Sequence, residues 1–244
     1  MGLGSGWVGW SFSLYPEAAE GGGCWVVPRR PLPSGRRPDP ERSASEAGRR
    51  ARAKIRRYCA ANRLNRLGTL TYAGAGCHEP AQLRGDVAGF FRGLRDGVGS
   101  SALPYLWVPQ WHPGGHGLHV HFAVGRFVPR RLIERAWGRG FVHVKLLSGL
   151  PVGSAERAEA RLAARYLSRY VGRELDDERR GSGLHRYEVA QGFQPERVEC
   201  YGASAEDAIA RASELMGGPP ERVWCSDETE GWRGPPACWA QWSS

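Results

Sequence analysis

Apolar residues recur at helical spacing in several stretches of this chain. In residues 80–96, large apolar side chains return every three or four positions, which places them on one face of a helix. Residues 155–172 and 204–216 are similarly periodic, and Ser154 just before the first range and Ser204 at the start of the second can cap the first turn. Two further helices are predicted to begin at Ser43 and at Pro129. The pattern therefore predicts five helices.

Short runs rich in β-branched and aromatic residues separate these helices. Residues 67–72 and 141–146 are predicted strands, and residues 105–111 and 118–127 are predicted to form a hairpin around a Gly-rich turn. From the first helix to the fourth, the elements follow the order α-β-α-β-β-α-β-α. That order predicts an α+β fold, with a central antiparallel β-sheet and flanking helices packed on one face.

The segments on either side lack this periodicity. Residues 1–42 are rich in Gly, Pro and Arg, so a flexible arm is expected there. Residues 43–195 hold most of the periodic segments and are predicted to form the main domain. Residues 196–244 carry the last predicted helix and a tail with several tryptophans, which is expected to pack on that domain.

Composition changes this picture by pointing to a polyanionic partner. The 244 residues include 34 Lys and Arg against 25 Asp and Glu, a formal net charge of +9. Nucleic acid is the first partner class that such an excess suggests, and an anionic membrane surface is the second. No apolar run approaches the length of a membrane-spanning helix, and no membrane partner is expected. The six cysteines form no C-x-x-C pair and follow no signal peptide, so a cytoplasmic protein with reduced thiols is expected.

The helix that begins at Ser43 carries six basic residues with no acidic residue between them. Because like charges on one helix repel each other, a bound phosphate backbone is the expected way to stabilise them. The predicted DNA-contacting residues are Arg49, Arg50, Arg52, Lys54, Arg56 and Arg57. A solvated charged face without DNA contact is the alternative.

Two histidines, His119 and His121, flank one valine in the second strand of the predicted hairpin. Alternate side chains of a strand point to the same face, so both imidazoles leave the sheet together and suit a divalent metal ion. If the hairpin turns through residues 112–117, Gln110 lies opposite His119 and its carbonyl oxygen completes the ligand set. His112 has the same parity and is the competing third ligand. An ordinary polar strand face is the alternative to a metal site.

Two tyrosines, Tyr166 and Tyr170, lie one turn apart on the helix predicted for residues 155–172. A protonated tyrosine attacks phosphorus poorly, and a metal ion that polarises the phosphate helps it. The guanidinium groups of Arg169 and Arg173 are expected to stabilise negative charge in the same place. Two tyrosines permit two successive strand transfers, whereas an aromatic edge of the core is the alternative interpretation.

Three segments in this order resemble the HUH endonuclease superfamily, in particular the two-tyrosine initiators of rolling-circle replication in plasmids and small phages. The segment from Thr69 to Tyr72, Thr-Leu-Thr-Tyr, resembles the first motif. The segment from Gly117 to Phe122 resembles the His-hydrophobic-His metal motif. The segment that begins at Tyr166 resembles the third motif, which reads Tyr-x-x-Lys-Tyr-x-x-Lys in phage initiators. The resemblance covers about residues 43–195.

The resemblance implies a sheet that carries the His pair on a middle strand, with the Tyr helix packed alongside. It implies that His119 and His121 bind a divalent metal, Mg²⁺ or Mn²⁺. Tyr166 and Tyr170 would act as nucleophiles that attack a DNA phosphodiester, stay covalently linked to the 5′ phosphate and free a 3′ hydroxyl. A protein of this kind nicks and rejoins one strand at a single-stranded or cruciform origin.

Three positions depart from the family pattern. Many relatives carry an acid where this chain has Gln110, and lysines where it has Arg169 and Arg173. The chain contains no G-x-x-x-x-G-K-[ST] motif, so a host helicase and a host DNA polymerase are the expected partners. The alternatives are a transposase or mobilisation relaxase of the same superfamily, or a non-catalytic DNA-binding relative.

Overall fold

The computed structural model of the chain describes residues 8–27, 40–145, 156–173, 185–232 and 234–243. Within these ranges the chain forms five α-helices and ten strands. The helices are α1 (Pro40–Ala61), α2 (Pro80–Gly97), α3 (Arg130–Trp137), α4 (Glu156–Arg173) and α5 (Ala205–Met216). The strands are β1 (Gly9–Tyr15), β2 (Glu20–Val26), β3 (Arg66–Tyr72), β4 (Tyr105–Trp111), β5 (Leu118–Val124), β6 (Gly140–Lys145), β7 (Glu188–Val189), β8 (Val198–Gly202), β9 (Arg222–Cys225) and β10 (Ala237–Gln241).

The chain divides into two compact units. The central unit is Pro40–Gln194, and the terminal unit combines Met1–Asp39 with Pro195–Ser244. The domain predicted for residues 43–195 has bounds close to those of the central unit. The tail predicted for residues 196–244 falls in the terminal unit together with the N-terminal residues.

The central unit is built on a five-stranded antiparallel sheet with the strand order β6-β3-β5-β4-β7. The strand that carries the two histidines, β5, therefore lies in the middle, and all seven of its residues are buried. A strand in this position loses solvent on both faces only if both faces are covered. The predicted α+β class with a central antiparallel sheet and flanking helices is confirmed.

Helices cover both faces of this sheet, so the expectation of helices on one face is wrong. Val120 and Phe122 of β5 point to the face where α2 and α3 supply Phe90, Phe91 and Trp137. On the opposite face lies the apolar core contributed by α1 and α4. The physical reason is that β4 carries apolar residues at both parities, with Trp107 in one core and Leu106 and Val108 in the other, so each face needs a covering layer.

The first helix, α1, begins at Pro40, three residues before the predicted start at Ser43. Proline is favoured in the first turn of a helix because its missing N–H would have no partner there. The last helix, α5, begins as predicted: the Ser204 side chain accepts a hydrogen bond of 3.1 Å from the backbone N–H of Asp207. In the part of the chain that the structure describes, no helix combines the length and apolar composition that a membrane crossing requires.

The terminal unit is a second five-stranded antiparallel sheet, with the strand order β8-β1-β2-β10-β9. Helix α5 packs on one face of it, against Phe12, Leu14 and Trp242. Residues 9–26 are thus a hairpin, and the prediction of a flexible arm is wrong for this stretch. Its glycines serve close packing instead of flexibility, because a Cβ atom at Gly21 would overlap the ring of Phe12 on the adjacent strand.

Candidate functional site

The two histidines of the middle strand share one polar cluster with a glutamine from the neighbouring strand. In the β4–β5 hairpin, Gln110 pairs with His119, as the turn length predicts. His119 and His121 are 8% and 5% exposed, so the cluster lies almost entirely out of water. Polar groups buried to this extent need partners, and here they have one another.

Three donor atoms converge in this cluster. His119 Nε2 lies 3.1 Å from Gln110 Oε1, His121 Nε2 lies 2.8 Å from the same oxygen, and the two Nε2 atoms are 3.2 Å apart. Ligands that bind one cation at about 2.1 Å and at right angles lie about 3.0 Å from one another. The three atoms therefore form a triangle of the size that one face of an octahedral metal site requires.

The chemistry of these donors also fits a cation. Burial lowers the pKa of His119 to about 4, with a further contribution from the charge of His112. Burial lowers the pKa of His121 to about 3, helped by the charges of His119 and Lys145. Both imidazoles are therefore neutral near pH 7, the form in which a histidine nitrogen binds a metal.

Thr69 on β3 orients one of the histidines. Its Oγ1 lies 3.0 Å from Nδ1 of His121. In the tautomer that leaves Nε2 of His121 free for a metal, Nδ1–H donates to this hydroxyl. The Nδ1 atom of His119 is buried and has no hydrogen-bond partner within the described ranges. The sequence placed Thr69 in a motif without giving it a role, although its strand pairs with β5 directly opposite His121.

The third donor is an amide and not an acid. Among the described residues, no three His, Cys, Asp or Glu side chains gather in a way that could hold a metal ion. The competing ligand, His112, is exposed, and its Nδ1 accepts a hydrogen bond of 3.0 Å from the backbone N–H of Gly114. Its ring centre lies 5.7 Å from that of His119. The geometry thus favours Gln110 over His112 as the third ligand.

The two tyrosines of α4 lie against the histidine cluster. The ring of Tyr170 stacks on that of His121, with centres 3.8 Å apart and an interplanar angle of 15°. The Tyr170 hydroxyl donates a hydrogen bond of 2.6 Å to the Tyr166 hydroxyl. Helix α4 is fixed in this place by Ala163, Ala164 and other residues of its buried stripe. Two phenols and a candidate metal site therefore occupy one location.

Lys145 at the end of β6 completes the cluster, although no motif of the sequence predicted a role for it. Its Nζ lies over the ring of Tyr166, 4.0 Å from the ring centre. One signal was available in the composition. Lys54 and Lys145 are the two lysines among 34 basic residues, so a lysine is conspicuous wherever it stands.

The predicted basic residues lie on two helices of the central unit. On α1, Arg49, Arg50, Arg52 and Lys54 are exposed, whereas Arg56 and Arg57 are half-buried. On the first turns of α1, Glu46 forms an exposed ion pair of 3.8 Å with Arg50.

The two predicted catalytic arginines lie on α4. Arg169 is exposed beside the tyrosines in sequence. Arg173 ends the helix, and its side chain lies outside the described residues.

The arrangement has the parts of a phosphodiester-cleaving site. It combines two phenols of the kind that can act as nucleophiles, the ammonium group of Lys145 over one of them, and three neutral donors that suit a divalent metal. The same helices expose guanidinium groups that suit phosphate contacts. None of these groups lies in the terminal unit.

Comparison with protein families gives one match. Residues 65–175 match the family model described as Replication-associated protein ORF2/G2P. The match covers less than half of the chain, lies inside the central unit and spans β3 to α4, so it includes the histidine pair and both tyrosines. This segment is thus similar to a family associated with DNA replication. Neither the curated proteins nor the solved structures gave a significant match.

Proposed function

We propose that this protein is a replication initiator that nicks and rejoins one DNA strand at the rolling-circle origin of a plasmid or related element. Cleavage proceeds through a covalent 5′-phosphotyrosine intermediate. The observation that carries the proposal is the contact between the Tyr pair and the three donors Gln110, His119 and His121. Tyr170 stacks on His121 and forms a hydrogen bond with Tyr166. The family match over residues 65–175 supports the link to replication.

Gln110, His119 and His121 are the residues that would hold the divalent cation, Mg²⁺ or Mn²⁺. A bound cation would polarise an oxygen of the scissile phosphate and so favour attack at phosphorus. The three donors carry no negative charge, and two of them are imidazoles. Because imidazole suits Mn²⁺ better than the harder Mg²⁺, cleavage is expected at lower concentrations of Mn²⁺.

The chain's own residues supply the nucleophile and its surroundings. A tyrosine oxygen forms a bond to phosphorus while the bond from phosphorus to the 3′ oxygen breaks. The phenol loses one proton and the freed 3′ oxygen takes up one, so the step balances. The new 3′ hydroxyl primes DNA synthesis by a host polymerase after a host helicase has opened the duplex. The second tyrosine then cuts the regenerated origin, and the 3′ hydroxyl freed by that cut attacks the first phosphotyrosine, which rejoins the strand and releases the first tyrosine.

Charge supports DNA as the substrate. The central unit contains 26 Lys and Arg residues against 13 Asp and Glu, a net charge of +13. The exposed residues of α1, Arg49 to Lys54, contribute four of these charges without a nearby run of acids. Counterion release from phosphates would supply most of the binding free energy, and therefore a strong dependence on salt.

A denaturing gel tests the proposal. The full chain is incubated with a randomised single-stranded DNA pool in Mn²⁺, and an SDS-resistant, nuclease-sensitive shift reports a covalent adduct. The double variant Tyr166→Phe/Tyr170→Phe should lose the adduct, whereas the control Tyr201→Phe, in the terminal unit, should retain it. A chelator should stop cleavage while most phosphate-driven binding persists.

The outcomes separate the alternatives. An adduct that survives in the double Phe variant would overturn the tyrosine chemistry. Folded wild-type protein that binds DNA but forms no adduct, with the pool or with a cruciform duplex, would favour a non-catalytic DNA-binding relative. Transposases and mobilisation relaxases would give the same adduct, and the sequence recovered at the nick, tested as an origin in a plasmid, distinguishes an initiator from them.

A further inference from the structure

We propose that the two tyrosines are not interchangeable, and that Tyr166 makes the first attack because the ammonium group of Lys145 selects it. This inference rests on the proposed function and deepens it. It names which of two phenols starts the reaction, and it assigns a positioning role to Lys145, a residue outside the motifs.

The first support is the position of Lys145. Its strand, β6, pairs with β3, and Lys145 lies opposite Leu67 in that register. From this edge of the site its Nζ reaches over the Tyr166 ring, 4.0 Å from the centre. A cation over an aromatic face is attracted by the electrons of the ring, and the attraction grows as the ring gains negative charge. The ammonium therefore favours the charge that develops on Tyr166 when its oxygen attacks.

The second support is the hydrogen bond between the phenols. The hydroxyl oxygens of Tyr170 and Tyr166 lie 2.6 Å apart, so the phenol that does not attack can donate a hydrogen bond to the one that does. A donor aimed at an oxygen stabilises negative charge on that oxygen. The ring of Tyr170 is stacked on His121, whereas the ammonium group of Lys145 lies over the ring of Tyr166. The position of the ammonium therefore favours Tyr166 as the anion and leaves Tyr170 as the donor.

The residue type at position 145 fits this role. The chain uses arginine at 32 of its 34 basic positions and lysine at Lys54 and Lys145. A lysine ammonium is a compact point charge, whereas a planar guanidinium spreads its charge and forks toward phosphates. A compact charge above one ring acts mainly on that ring, so contacts to the substrate phosphate would be made by the arginines and the divalent metal ion.

The step that follows is an exchange of bonds. The Tyr166 oxygen forms the bond to phosphorus, and the bond from phosphorus to the 3′ oxygen breaks. The phenol proton of Tyr166 passes to water, and the departing 3′ oxygen takes a proton from water. Tyr170 keeps its proton through this first transfer and remains available for the second.

Peptide mapping tests the order directly. Trypsin cuts after Arg165, Arg169 and Arg173, so Tyr166 and Tyr170 fall in separate tetrapeptides, Tyr-Leu-Ser-Arg and Tyr-Val-Gly-Arg. A short single-stranded oligonucleotide selected from the cleaved pool is incubated with the full chain in Mn²⁺ for a single turnover. Mass spectrometry should find the phosphonucleotide on the peptide that contains Tyr166. Equal labelling, or a label mainly on Tyr170, would overturn the proposal.

Lys145→Met tests the role of the charge, because methionine keeps much of the length and removes the ammonium. In a Tyr170→Phe background, where Tyr166 alone can attack, Lys145→Met should slow adduct formation about threefold to thirtyfold. In a Tyr166→Phe background, the same change should leave the slow attack by Tyr170 within about twofold. Lys145→Arg, which restores a positive charge but spreads it over a planar group, should recover only part of the lost rate.

The outcomes keep this inference separate from the proposed function. A wild-type chain without any adduct contradicts the proposed function itself. An adduct formed equally well through either tyrosine, or equal slowing by Lys145→Met in both backgrounds, leaves the function intact and overturns the asymmetry. Thermal unfolding of each variant identifies loss of folding. A Lys145→Met chain that unfolds at the wild-type temperature, but whose cleavage is slowed only when Tyr166 attacks, supports the proposed difference between the two tyrosines.

Discussion

The two units of this chain share an architecture but differ in charge and in what they bury. Each contains a five-stranded antiparallel sheet with a glycine packed under a phenylalanine of the neighbouring strand. The central unit has a net charge of +13, whereas the terminal unit, with 8 Lys and Arg against 12 Asp and Glu, has a net charge of −4. The net positive charge of the chain is thus the sum of one basic unit and one acidic unit. Sheet architecture by itself assigns no function to either of them.

The middle strands of the two sheets differ in the side chains that they carry. In the central unit, β5 buries His119 and His121 beneath a helix that carries two tyrosines. In the terminal unit, β2 is a run of glycines that lets Phe12 pack closely. Polar side chains in the middle of a sheet cost stability unless they are satisfied, and the proposed function accounts for a histidine pair there. The following changes test this contrast, from the largest expected effect to the smallest.

Removal of the histidine pair should have the largest effect. The double variant His119→Ala/His121→Ala removes two of the three donors, so adduct formation in Mn²⁺ should fall by more than about a hundredfold. His185→Ala, an exposed histidine of the same unit, is the control and should cleave at the wild-type rate. Wild-type cleavage by the double variant would show that the buried pair is structural.

Loss of the hydroxyl that orients His121 should have a smaller effect. Thr69→Val removes the partner of Nδ1 and keeps the shape of the side chain, so the rate at limiting Mn²⁺ should fall about tenfold to a hundredfold. Excess Mn²⁺ should restore part of that rate. In the terminal unit, Thr229→Val removes an acceptor of Trp224 Nε1 and should leave cleavage unchanged. Equal behaviour of the two variants would contradict the assignment.

Salt titration compares the two units as binding surfaces. The logarithm of the DNA-binding constant falls linearly with the logarithm of the salt concentration. Neutralising Arg49, Arg50 and Arg52 on α1 should make this slope shallower by about 2, since each lost phosphate contact on single-stranded DNA contributes about 0.7. Neutralising Arg211 and Arg222 of the terminal unit should leave the slope unchanged. Fluorescence anisotropy with a labelled oligonucleotide measures both. An equal fall in both variants would assign DNA contact to both units.

Matched glycine substitutions should give the smallest change in cleavage. A Cβ atom at Gly68 would overlap the Phe122 ring, and one at Gly21 would overlap Phe12. Each substitution to alanine should lower the free energy of unfolding by about 1 to 3 kcal/mol, because a well-packed core resists extra volume. Gly68→Ala, which lies beside Thr69, should also slow cleavage severalfold, whereas Gly21→Ala should not. Denaturant unfolding and gel assays at low temperature separate the two effects.

The fold of the central unit could be predicted from the sequence to a large extent. The hairpin register that places Gln110 opposite His119 follows from a short turn and strict alternation, which are local properties. Helix α4 agrees with its predicted range to within a residue, because its apolar stripe sets its face. The terminal unit was missed, because its sheet pairs β1 and β2 with strands that follow about two hundred residues later.

The candidate site was predicted only in its local parts. The His pair and the Tyr pair are each visible as spacings within one strand or one helix. Thr69 and Lys145 have no such signature, since they reach the cluster through pairing of β3 with β5 and with β6. Pairings between distant strands are decided by the packing of the whole sheet and not by any short segment.

The sequence by itself determined the periodic elements of the central unit, the side chains that share a strand or helix face, and the excess of positive charge. These properties depend on residues a few positions apart, where the geometry of strands and helices is fixed. Only the tertiary structure decided that Gln110 and not His112 faces the His pair, that Tyr170 stacks on His121, and that Lys145 lies over Tyr166. Each of these contacts joins different elements, and the burial of apolar surface on both faces of one sheet brings those elements together.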